Sequence, residues 1–301
     1  MPATFLPPTD LAESAAPSGH RPADAAREAM RSRQTPRPQQ MEAATHRAWP
    51  ALHHRQEGPW TLRFAAGYTK RSNSAWIVNP LTAEQVPTAL EALPHVEAAY
   101  RENELVPVFR IPDFLPPQLD AALAERGYQR QDTTLVLLRA LGNASDISWK
   151  ADRRSARPSP SPACRFDLLP VDQWFTSWKR CAVEAEGNNV HSRLLRLAAP
   201  GTLFGRVGRR HDAACCGLGV PDDRFGLFGI FDVATRPDLR RQGHASRLMR
   251  ELLRGATRLQ AQYAYLQVVQ TNTPARALYS SLAFAEAYRY WYRVAPTAGI
   301  S

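Results

Sequence analysis

The clearest pattern of apolar positions lies in the last third of the chain. Residues 227–234 are mostly apolar strand formers, and residues 263–269 repeat that pattern. Between them, apolar residues recur at the i, i+3, i+4 spacing that places side chains on one helical face. These residues are Ala245, Leu248, Met249, Leu252, Leu253 and Ala256. After the second strand, Asn272 or Thr273 is placed to cap another helix, with Pro274 in its first turn, where no N–H is needed. The pattern predicts strand, helix, strand and helix in that order.

The rest of the chain divides into a tail, two folded segments and a linker. Residues 1–40 have no periodic apolar face, so we expect a disordered extension that contains no secretory signal. Residues 41–141 predict a compact mixed domain. Residues 142–163 are rich in proline, serine and arginine and predict a stiffened linker. Residues 164–295 form the second predicted domain.

Shorter apolar runs predict the elements inside these domains. In the first domain we expect strands at 60–65, 74–78, 106–111 and 133–138, and helices at 82–100 and 118–126. In the second we expect strands at 165–169, 202–207 and 213–218, helices from about 171 and at 189–197, and a closing aromatic strand at 288–294.

A short polar loop joins the strand at 227–234 to the helix that follows it. Small residues at Gly243 and Ala245 let a ligand approach the backbone, and the first N–H groups of a helix have no partners within it. Arg240 and Arg241 add positive charge at the same place. The arrangement is typical of an anion site suited to a pyrophosphate. Taken alone, the six residues 240–245 are equally well interpreted as a basic helix start with a glycine in its turn.

Two motifs together resemble those of the GCN5-related N-acetyltransferases (GNAT). In that family Arg/Gln-x-x-Gly-x-Gly/Ala binds the coenzyme A pyrophosphate, and Asn-x-x-Ala-x-x-Leu-Tyr-x-x-x-Gly-Phe lines the thiol end of the cofactor. Residues 240–245 and 272–284 match them in order and spacing, with Ala283 where the family usually has glycine. Residues 60–74 and 288–294 resemble a bacterial subgroup of tandem GNAT proteins. The resemblance implies an α/β (α+β) fold with a mixed, mostly antiparallel sheet flanked by helices, C-terminal to a smaller, degenerate GNAT-like domain.

The first folded segment resembles a second copy of the later part of a GNAT domain. Residues 121–128 align loosely with residues 277–284, which indicates an internal repeat. Leu123 stands where the C-terminal copy has Tyr279, and the crossover at 79–82 lacks the anion loop. If the segment is a duplicate, it has lost the pyrophosphate site.

The resemblance also implies roles for side chains near the cofactor thiol. Tyr279 would protonate the departing CoA thiolate, and the other interpretation is a helix tyrosine that packs at the sheet edge. Asp232 is the candidate general base, although a strand-end aspartate is more often a turn or cap acceptor. Asn272 either bonds the pantetheine or caps its helix. Backbone N–H groups of 231–233 would face the thioester carbonyl in a splayed gap between the two strands.

The catalytic candidates are Tyr279 and Asp232. The cofactor-binding candidates are Phe231, Asp232, Val233, Arg240, Arg241, Gln242, Gly243, His244, Ala245, Asn272 and Tyr279. His191 and His211 are isolated in the sequence, and we interpret them as ordinary surface or core histidines. No group of residues has metal-ligand spacing, so we expect no metal.

Composition and charge narrow the class of protein further. No apolar run is long enough for a transmembrane helix, so we expect a cytoplasmic protein with no membrane partner. The four cysteines form no Cys-x-x-Cys pair, which favours structural thiols in a reducing compartment. The net charge of +10 comes almost wholly from arginines scattered through the chain, which argues against a nucleic-acid partner.

The sequence therefore predicts an N-acetyltransferase. It would transfer an acetyl group from acetyl-CoA to a primary amine of an acceptor that the sequence does not identify. The alternative is a non-catalytic CoA-binding module with a regulatory or interaction role. The oligomeric state stays open.

Overall fold

The chain alternates strands and helices from end to end. The computed structural model describes residues 34–142, 164–182, 189–209 and 212–296. Within these ranges the strands are β1 (His53–Glu57), β2 (Trp60–Phe64), β3 (Val108–Pro112), β4 (Gln129–Ala140), β5 (Arg165–Leu168), β6 (Leu203–Arg209), β7 (Asp212–Asp222), β8 (Leu227–Thr235), β9 (Tyr263–Val269) and β10 (Ala285–Val294). The helices are α1 (Pro38–Ala48), α2 (Val86–Glu91), α3 (Leu93–Glu102), α4 (Pro117–Glu125), α5 (Val171–Cys181), α6 (Asn189–Arg196), α7 (His244–Arg258) and α8 (Thr273–Ser281).

Most of the strands belong to one sheet. Its eight strands have the order β3, β10, β4, β9, β8, β7, β6 and β5, and β1 pairs with β2 in a separate hairpin. Neighbouring strands are antiparallel except β8 and β9, which are parallel. This mixed, mostly antiparallel sheet with helices packed on it confirms the predicted fold class.

The two halves of the chain exchange their last strands within this sheet. β4 lies between β9 and β10, and β10 lies between β3 and β4. Helix α4 connects β3 to β4 and α8 connects β9 to β10, so each connection passes over one strand of the other half. The segments on either side of the predicted linker therefore share one sheet.

Helix α7 buries the apolar face that the sequence predicts. Leu248, Met249, Leu252, Leu253 and Ala256 are all fully buried, and they pack against Phe228 and Ile230 of β8 in one core cluster. The opposite face of the sheet is covered by α1 and α5, whose Met41 and Trp174 join a second cluster. Within the described ranges, no helix combines the length and apolar character needed to cross a bilayer.

Two predicted elements of the first segment differ from the structure. The expected helix at 82–100 is divided into a 3₁₀ turn, α2 and α3, because Pro87 and Pro94 each lie in the first turn of a helix and cannot continue the preceding one. The expected strand at 74–78 is reduced to isolated bridges to β2 and β3.

Two further elements have no counterpart in the sequence prediction. β1 has mostly exposed side chains, so it carries no apolar alternation. Helix α1 buries Glu42 and Thr45 together with Met41 and Ala44, so its inward face does not follow an apolar pattern either. It begins at Pro38, just before the position where the sequence placed the end of the N-terminal extension.

The buried carboxylate of Glu42 fixes α1 to strands of both halves. Its two oxygens accept hydrogen bonds from Nε and Nη2 of Arg110 on β3, at 2.9 and 2.6 Å. The hydroxyl of Tyr288 on β10 donates to one of the same oxygens. A buried charge is tolerated when an opposite charge and hydrogen bonds satisfy it, as here.

Candidate active site

Strands β8 and β9 separate part of the way along their length. Their parallel pairing begins at Leu227 and Tyr263 and ends at Ile230 and Leu266. Both strands nevertheless continue, β8 to Thr235 and β9 to the end of its pairing with β4. A gap therefore opens between them at the carboxyl end of β8, and in this gap one edge of β8 has no strand partner. A splayed gap between these two strands is what the GNAT resemblance of the sequence implies.

A bulge in β8 marks the start of the gap. The register with β7 shifts there, since Phe231 pairs with Leu218 but Ala234 pairs with Cys216. Asp232 occupies the bulge with a φ of 51°, in the left-handed region that non-glycine residues seldom adopt. Strained backbone of this kind costs about 1–3 kcal/mol and occurs preferentially at functional sites. The bulge turns Asp232 away from the regular alternation of the strand.

The loop after β8 leaves the start of α7 open. Gly243 is the N-cap residue, with a φ of 82°, and no side chain caps the helix. Arg240, Arg241 and Gln242 are exposed around it. Among the described residues, neither arginine pairs with a carboxylate. The helix start thus offers backbone N–H groups and free positive charge, which is what an anion requires.

His244 adds a buried ring nitrogen to this helix start. The residue is 4% exposed, and its Nδ1 has no hydrogen-bond partner in the described structure. Burial, and then the charges of Arg247 and Arg236, lower the pKa of His244 below its usual value. The ring is therefore neutral at neutral pH, with an unsatisfied nitrogen beside the uncapped amides.

The start of α8 differs from that of α7 because it is capped. The side chain of Asn272 accepts a hydrogen bond from the backbone N–H of Ala275 at 3.2 Å, and Pro274 lies in the first turn. Of the two roles considered for Asn272, the structure displays the helix cap. Asn272 itself is exposed.

Tyr279 on α8 lies in the core of the sheet face under α7. Its side chain is 8% exposed and contacts the ring of Phe284, with ring centroids 6.2 Å apart. Burial, and secondarily the nearby Cys215, raise the pKa of Tyr279 above its usual value. The phenol is therefore protonated at neutral pH, as a proton donor must be, and the raised pKa also makes it a weaker acid.

Asp232 forms a pair with a histidine from a distant helix. Nε2 of His191 on α6 lies 2.8 Å from Oδ2 of Asp232. The side chain of His191 is 1% exposed and that of Asp232 is 16% exposed, so the carboxylate is the accessible member. His191 is buried, as one of the two sequence interpretations has it, but it is not isolated.

Aromatic rings surround the imidazole of His191. Trp178 and Phe175 of α5 meet it edge to face, at 4.5 and 5.2 Å, and Tyr68 stacks on it at 5.1 Å. The indole N–H of Trp178 also donates to the backbone carbonyl of Asp232 at 2.9 Å. The same helix therefore orients both members of the pair.

The loop between β2 and Ala75 brings Tyr68 to this place. The side chain of Asn73 accepts hydrogen bonds from the backbone N–H groups of Ala65 and Gly67, at 2.7 and 3.0 Å, and so closes the loop. Ser72 accepts a hydrogen bond from the indole of Trp49 at 2.9 Å, which fastens the loop to the segment after α1. Residues of the N-terminal half thus form one wall of the site.

Trp49 and Phe231 complete that wall, and a cation lies on them. Their ring centroids are 5.8 Å apart, and Trp49 is 6.0 Å from the ring of His191. The guanidinium of Arg71, from the same loop as Tyr68, lies 5.3 Å from the Trp49 ring and 5.8 Å from the Phe231 ring. The side chain of Phe231 therefore packs in this wall.

The structure brings some predicted residues together and adds others. Residues 231–233 and the loop at 240–245 both lie at the gap. The side chain of Asn272 instead caps α8, and that of Tyr279 packs in the core under α7. His191, Tyr68, Trp49 and Arg71 were not predicted, because they come from three separate segments with no common motif. His211 lies outside the described residues.

The described ranges contain no group of three or more histidine, cysteine, aspartate or glutamate side chains arranged to hold a metal ion. Cys164, Cys181, Cys215 and Cys216 are buried free thiols.

Comparison with protein families identifies the fold and the family. Residues 35–293 match the family model described as "Probable histone acetyltransferase Rv0428c C-terminal". The chain is 24% identical over 255 residues to the "Uncharacterized N-acetyltransferase YobR" of Bacillus subtilis (strain 168), an alignment that covers 82% of this chain and 94% of that protein.

Solved structures show the same fold at low sequence identity. A GCN5-related N-acetyltransferase from Kribbella flavida is 14% identical, with a TM-score of 0.62, over 83% of this chain and 91% of that one. A tandem GNAT protein from the clavulanic acid biosynthesis pathway is also 14% identical, with a TM-score of 0.56, over 79% of this chain and 78% of that one. The chain belongs to the Rv0428c C-terminal family of GNAT acetyltransferases.

Proposed function

We propose that the protein transfers the acetyl group of acetyl-CoA to a primary amine. One observation carries the proposal: the gap between β8 and β9 has an uncapped helix start at its mouth and the Asp232–His191 pair at its base. The first feature suits a pyrophosphate, and the second suits removal of a proton from an amine.

The residues at the start of α7 fit the donor substrate. The left-handed conformation of Gly243 and its lack of a side chain let the pyrophosphate approach the amides of the first turn. His244 presents an unsatisfied ring nitrogen there, and Arg240 and Arg241 supply positive charge. The unpaired edge of β8 at 231–233 would lie along the thioester, where a backbone N–H stabilises charge that develops on the carbonyl oxygen.

The reaction can then be written with residues of this chain. Asp232 accepts a proton from the acceptor ammonium, while His191 and Trp178 hold the carboxylate and its backbone in place. The free amine attacks the thioester carbon, so that a C–N bond forms, the C–S bond breaks and the nitrogen loses its second proton as the amide forms. We assign the proton for the departing thiolate to Tyr279, which is protonated at neutral pH, and the proton lost by the nitrogen restores the phenol.

We also propose that residues 41–141 form the acceptor side of the enzyme. Trp49, Tyr68 and Arg71 all come from this segment, and they contact Phe231 and His191 next to the carboxylate. The segment would thereby act on the acceptor although it has no anion loop of its own.

The competing function is a CoA-binding module without catalysis. The pair of Asp232 and His191 favours the enzyme, because cofactor binding alone gives no reason to hold an accessible carboxylate against a buried imidazole on a backbone of positive φ. Release of CoA thiol, measured over a panel of primary amines, distinguishes the two functions. The panel contains small amines and a lysine-rich histone peptide, because the matching family is described as a probable histone acetyltransferase.

The variant that tests the proposal is Asp232→Asn. It keeps the shape of the side chain but cannot take up a proton, and we expect turnover to fall about 10²–10⁴-fold with acetyl-CoA affinity retained. Asp223→Asn, at an exposed aspartate of the turn between β7 and β8, is the control and should leave both values unchanged. Acetyl-CoA binding with no turnover on any amine would favour the binding module instead.

A further inference from the structure

Arg71 is a cation without an anionic partner at the wall of the proposed active site. Its Nε is buried and makes no hydrogen bond, and no carboxylate among the described residues lies within ion-pair distance of its guanidinium. Arg110, by contrast, is paired with Glu42, and Arg293 with Asp120. Arg71 thus has one buried N–H without an acceptor, and the rest of its partly exposed guanidinium is open to water or to an anionic ligand.

The position of Arg71 links it to the Asp232–His191 pair. Its guanidinium lies over the ring of Phe231, the residue that precedes Asp232. It also lies over Trp49, which contacts His191, and the intervening Tyr68 stacks on the same imidazole. The negative charge of Asp232 and the positive charge of Arg71 both act on the Tyr68 hydroxyl, although burial is the main cause of its raised pKa.

The two aromatic rings leave Arg71 ready to bind an anion. The guanidinium lies 5.3 Å from the Trp49 ring and 5.8 Å from the Phe231 ring, so the two rings limit its side-chain freedom before a ligand binds. A planar guanidinium edge matches a carboxylate, with two parallel N–H···O bonds. The neighbouring Arg63 adds a second buried cation here and no counter-charge, since its guanidinium donates to the backbone carbonyls of Trp49 and His46.

We infer that the acceptor is an amino acid, whose amine lies at Asp232 while its carboxylate is held by Arg71. This inference rests on the proposed function. The overall charge agrees with it, since a chain with a net charge of +10 repels a basic peptide. A lysine in a histone tail would place further positive charge against Arg71.

The experiment compares acids with their amides. CoA thiol release is measured for the twenty protein amino acids and for the same compounds as C-terminal amides, which keep the amine but lack the carboxylate charge. We expect the best acceptor to be an acid, and we expect its amide to lose about 30-fold or more in kcat/KM, the usual effect of removing one partner from a close charge pair.

Variants of Arg71 assign that preference to one side chain. Arg71→Met should lower kcat/KM for the acid about 30-fold or more, with little effect on the amide, and Arg71→Lys should restore part of the loss. The control is Arg224→Met, since Arg224 also lies over an aromatic ring, that of Phe225 at 5.6 Å, but on the distant turn between β7 and β8. It should leave both substrates unaffected. Unchanged thermal unfolding and acetyl-CoA affinity would verify that each variant is folded.

Several outcomes would overturn the inference while leaving the proposed function intact. Equal turnover of acids and amides would do so, as would a preference for the lysine-rich peptide or for simple alkylamines.

If no compound is acetylated, calorimetry of the acids against the CoA-loaded protein decides between the two outcomes for the Arg71 site. A wild-type affinity that is lost in Arg71→Met supports the site, and no binding rejects it. Failure of acetyl-CoA itself to bind would reject the proposed function.

Discussion

The N-terminal and C-terminal halves contain the same connection in different chemical form. In the first, α4 leads from β3 to β4, and in the second, α8 leads from β9 to β10. Both helices end with the same hydrogen bond: Tyr128 N–H donates to the Leu123 carbonyl at 3.0 Å, and Phe284 N–H donates to the Tyr279 carbonyl at 3.1 Å. The structure therefore places Leu123 at the position of Tyr279. The backbone is repeated, and the phenol is present in one copy alone.

The starts of the preceding helices differ in the same direction. In the first half, the 3₁₀ turn Ala83–Gln85 leads directly into α2 and has a capping box, in which the side chain of Gln85 accepts the backbone N–H of Thr82 at 3.0 Å. Pro87 then removes one N–H from the first turn of α2. Before α7, Gly243 leaves the amides uncapped. One half thus has a closed helix start and an apolar residue, and the other has an open start and a tyrosine. A repeated fold can retain its packing while its chemistry is confined to one copy.

The largest expected effect tests the tyrosine that distinguishes the halves. Tyr279→Phe removes one hydroxyl without opening a cavity, so we expect turnover to fall about 10²–10⁴-fold with little change in acetyl-CoA affinity. The matched control is Tyr128→Phe, a buried tyrosine in the N-terminal copy whose hydroxyl donates to Glu97, and it should retain wild-type turnover. Near wild-type turnover in Tyr279→Phe would make Tyr279 a packing residue.

The next effect tests the open helix start. Valine at position 243 would block the approach of the pyrophosphate and fits poorly at a φ of 82°. Loss of two charge-assisted hydrogen bonds corresponds to about 100-fold or more in acetyl-CoA affinity, measured by calorimetry for Gly243→Val. Gln85→Ala, at the closed start, should bind as wild type does, with one acetyl-CoA per chain. Two bound molecules per chain would show that the N-terminal half has its own phosphate site.

A third prediction tests whether the halves are energetically one unit. Glu42→Gln leaves Arg110 buried without its counter-charge, which should lower the free energy of unfolding by about 3–5 kcal/mol. Because Glu42 contacts both β3 and β10, we expect a single unfolding transition by calorimetry. Glu251→Gln, which removes the surface pair with Arg254, should cost less than about 1 kcal/mol. Two separate transitions in the wild-type protein would contradict the shared sheet as a cooperative unit.

The smallest effect tests the repeated turn itself. Ala283 has a φ of 58°, where the N-terminal copy has Gly127 at 82°. Ala283→Gly should raise the free energy of unfolding by about 0.5–1 kcal/mol, because it relieves left-handed strain at an exposed position. Gly127→Ala should lower it by about 1 kcal/mol, since it introduces that strain. Denaturant unfolding measures both, and changes of the same sign would show that the two turns are not equivalent.

The parts of the site that the sequence predicts are those encoded by neighbouring residues. The turn at Gly243 and the cap at Asn272 each need only a few consecutive positions, so both helix starts can be predicted from the sequence. The apolar face of α7 is predicted for the same reason. The division of the helix at 82–100 was missed, because its apolar spacing continues across Pro87 and Pro94.

The proposed acceptor side could not be predicted from the sequence, because its residues come together only after folding. His191 reaches Asp232 from another helix, and Arg71 and Trp49 arrive from the other half of the chain. Each of these residues is ordinary in its own segment. They come together because of the strand exchange, which brings the loop between β2 and Ala75 against β8. No local sequence pattern predicts that exchange.

The strand exchange also sets the order in which the chain can fold during synthesis. β4 has both of its partners, β9 and β10, more than a hundred residues later in the chain, and β10 is the last strand of the described ranges. While the ribosome is still making the C-terminal half, both edges of β4 and the edge of β3 that later pairs with β10 have no strand beside them. Such late, distant pairing slows folding and exposes the nascent chain to association with others. β3 and β4 of the first half therefore become part of one sheet only after the ten residues of β10 have been made and have paired between them.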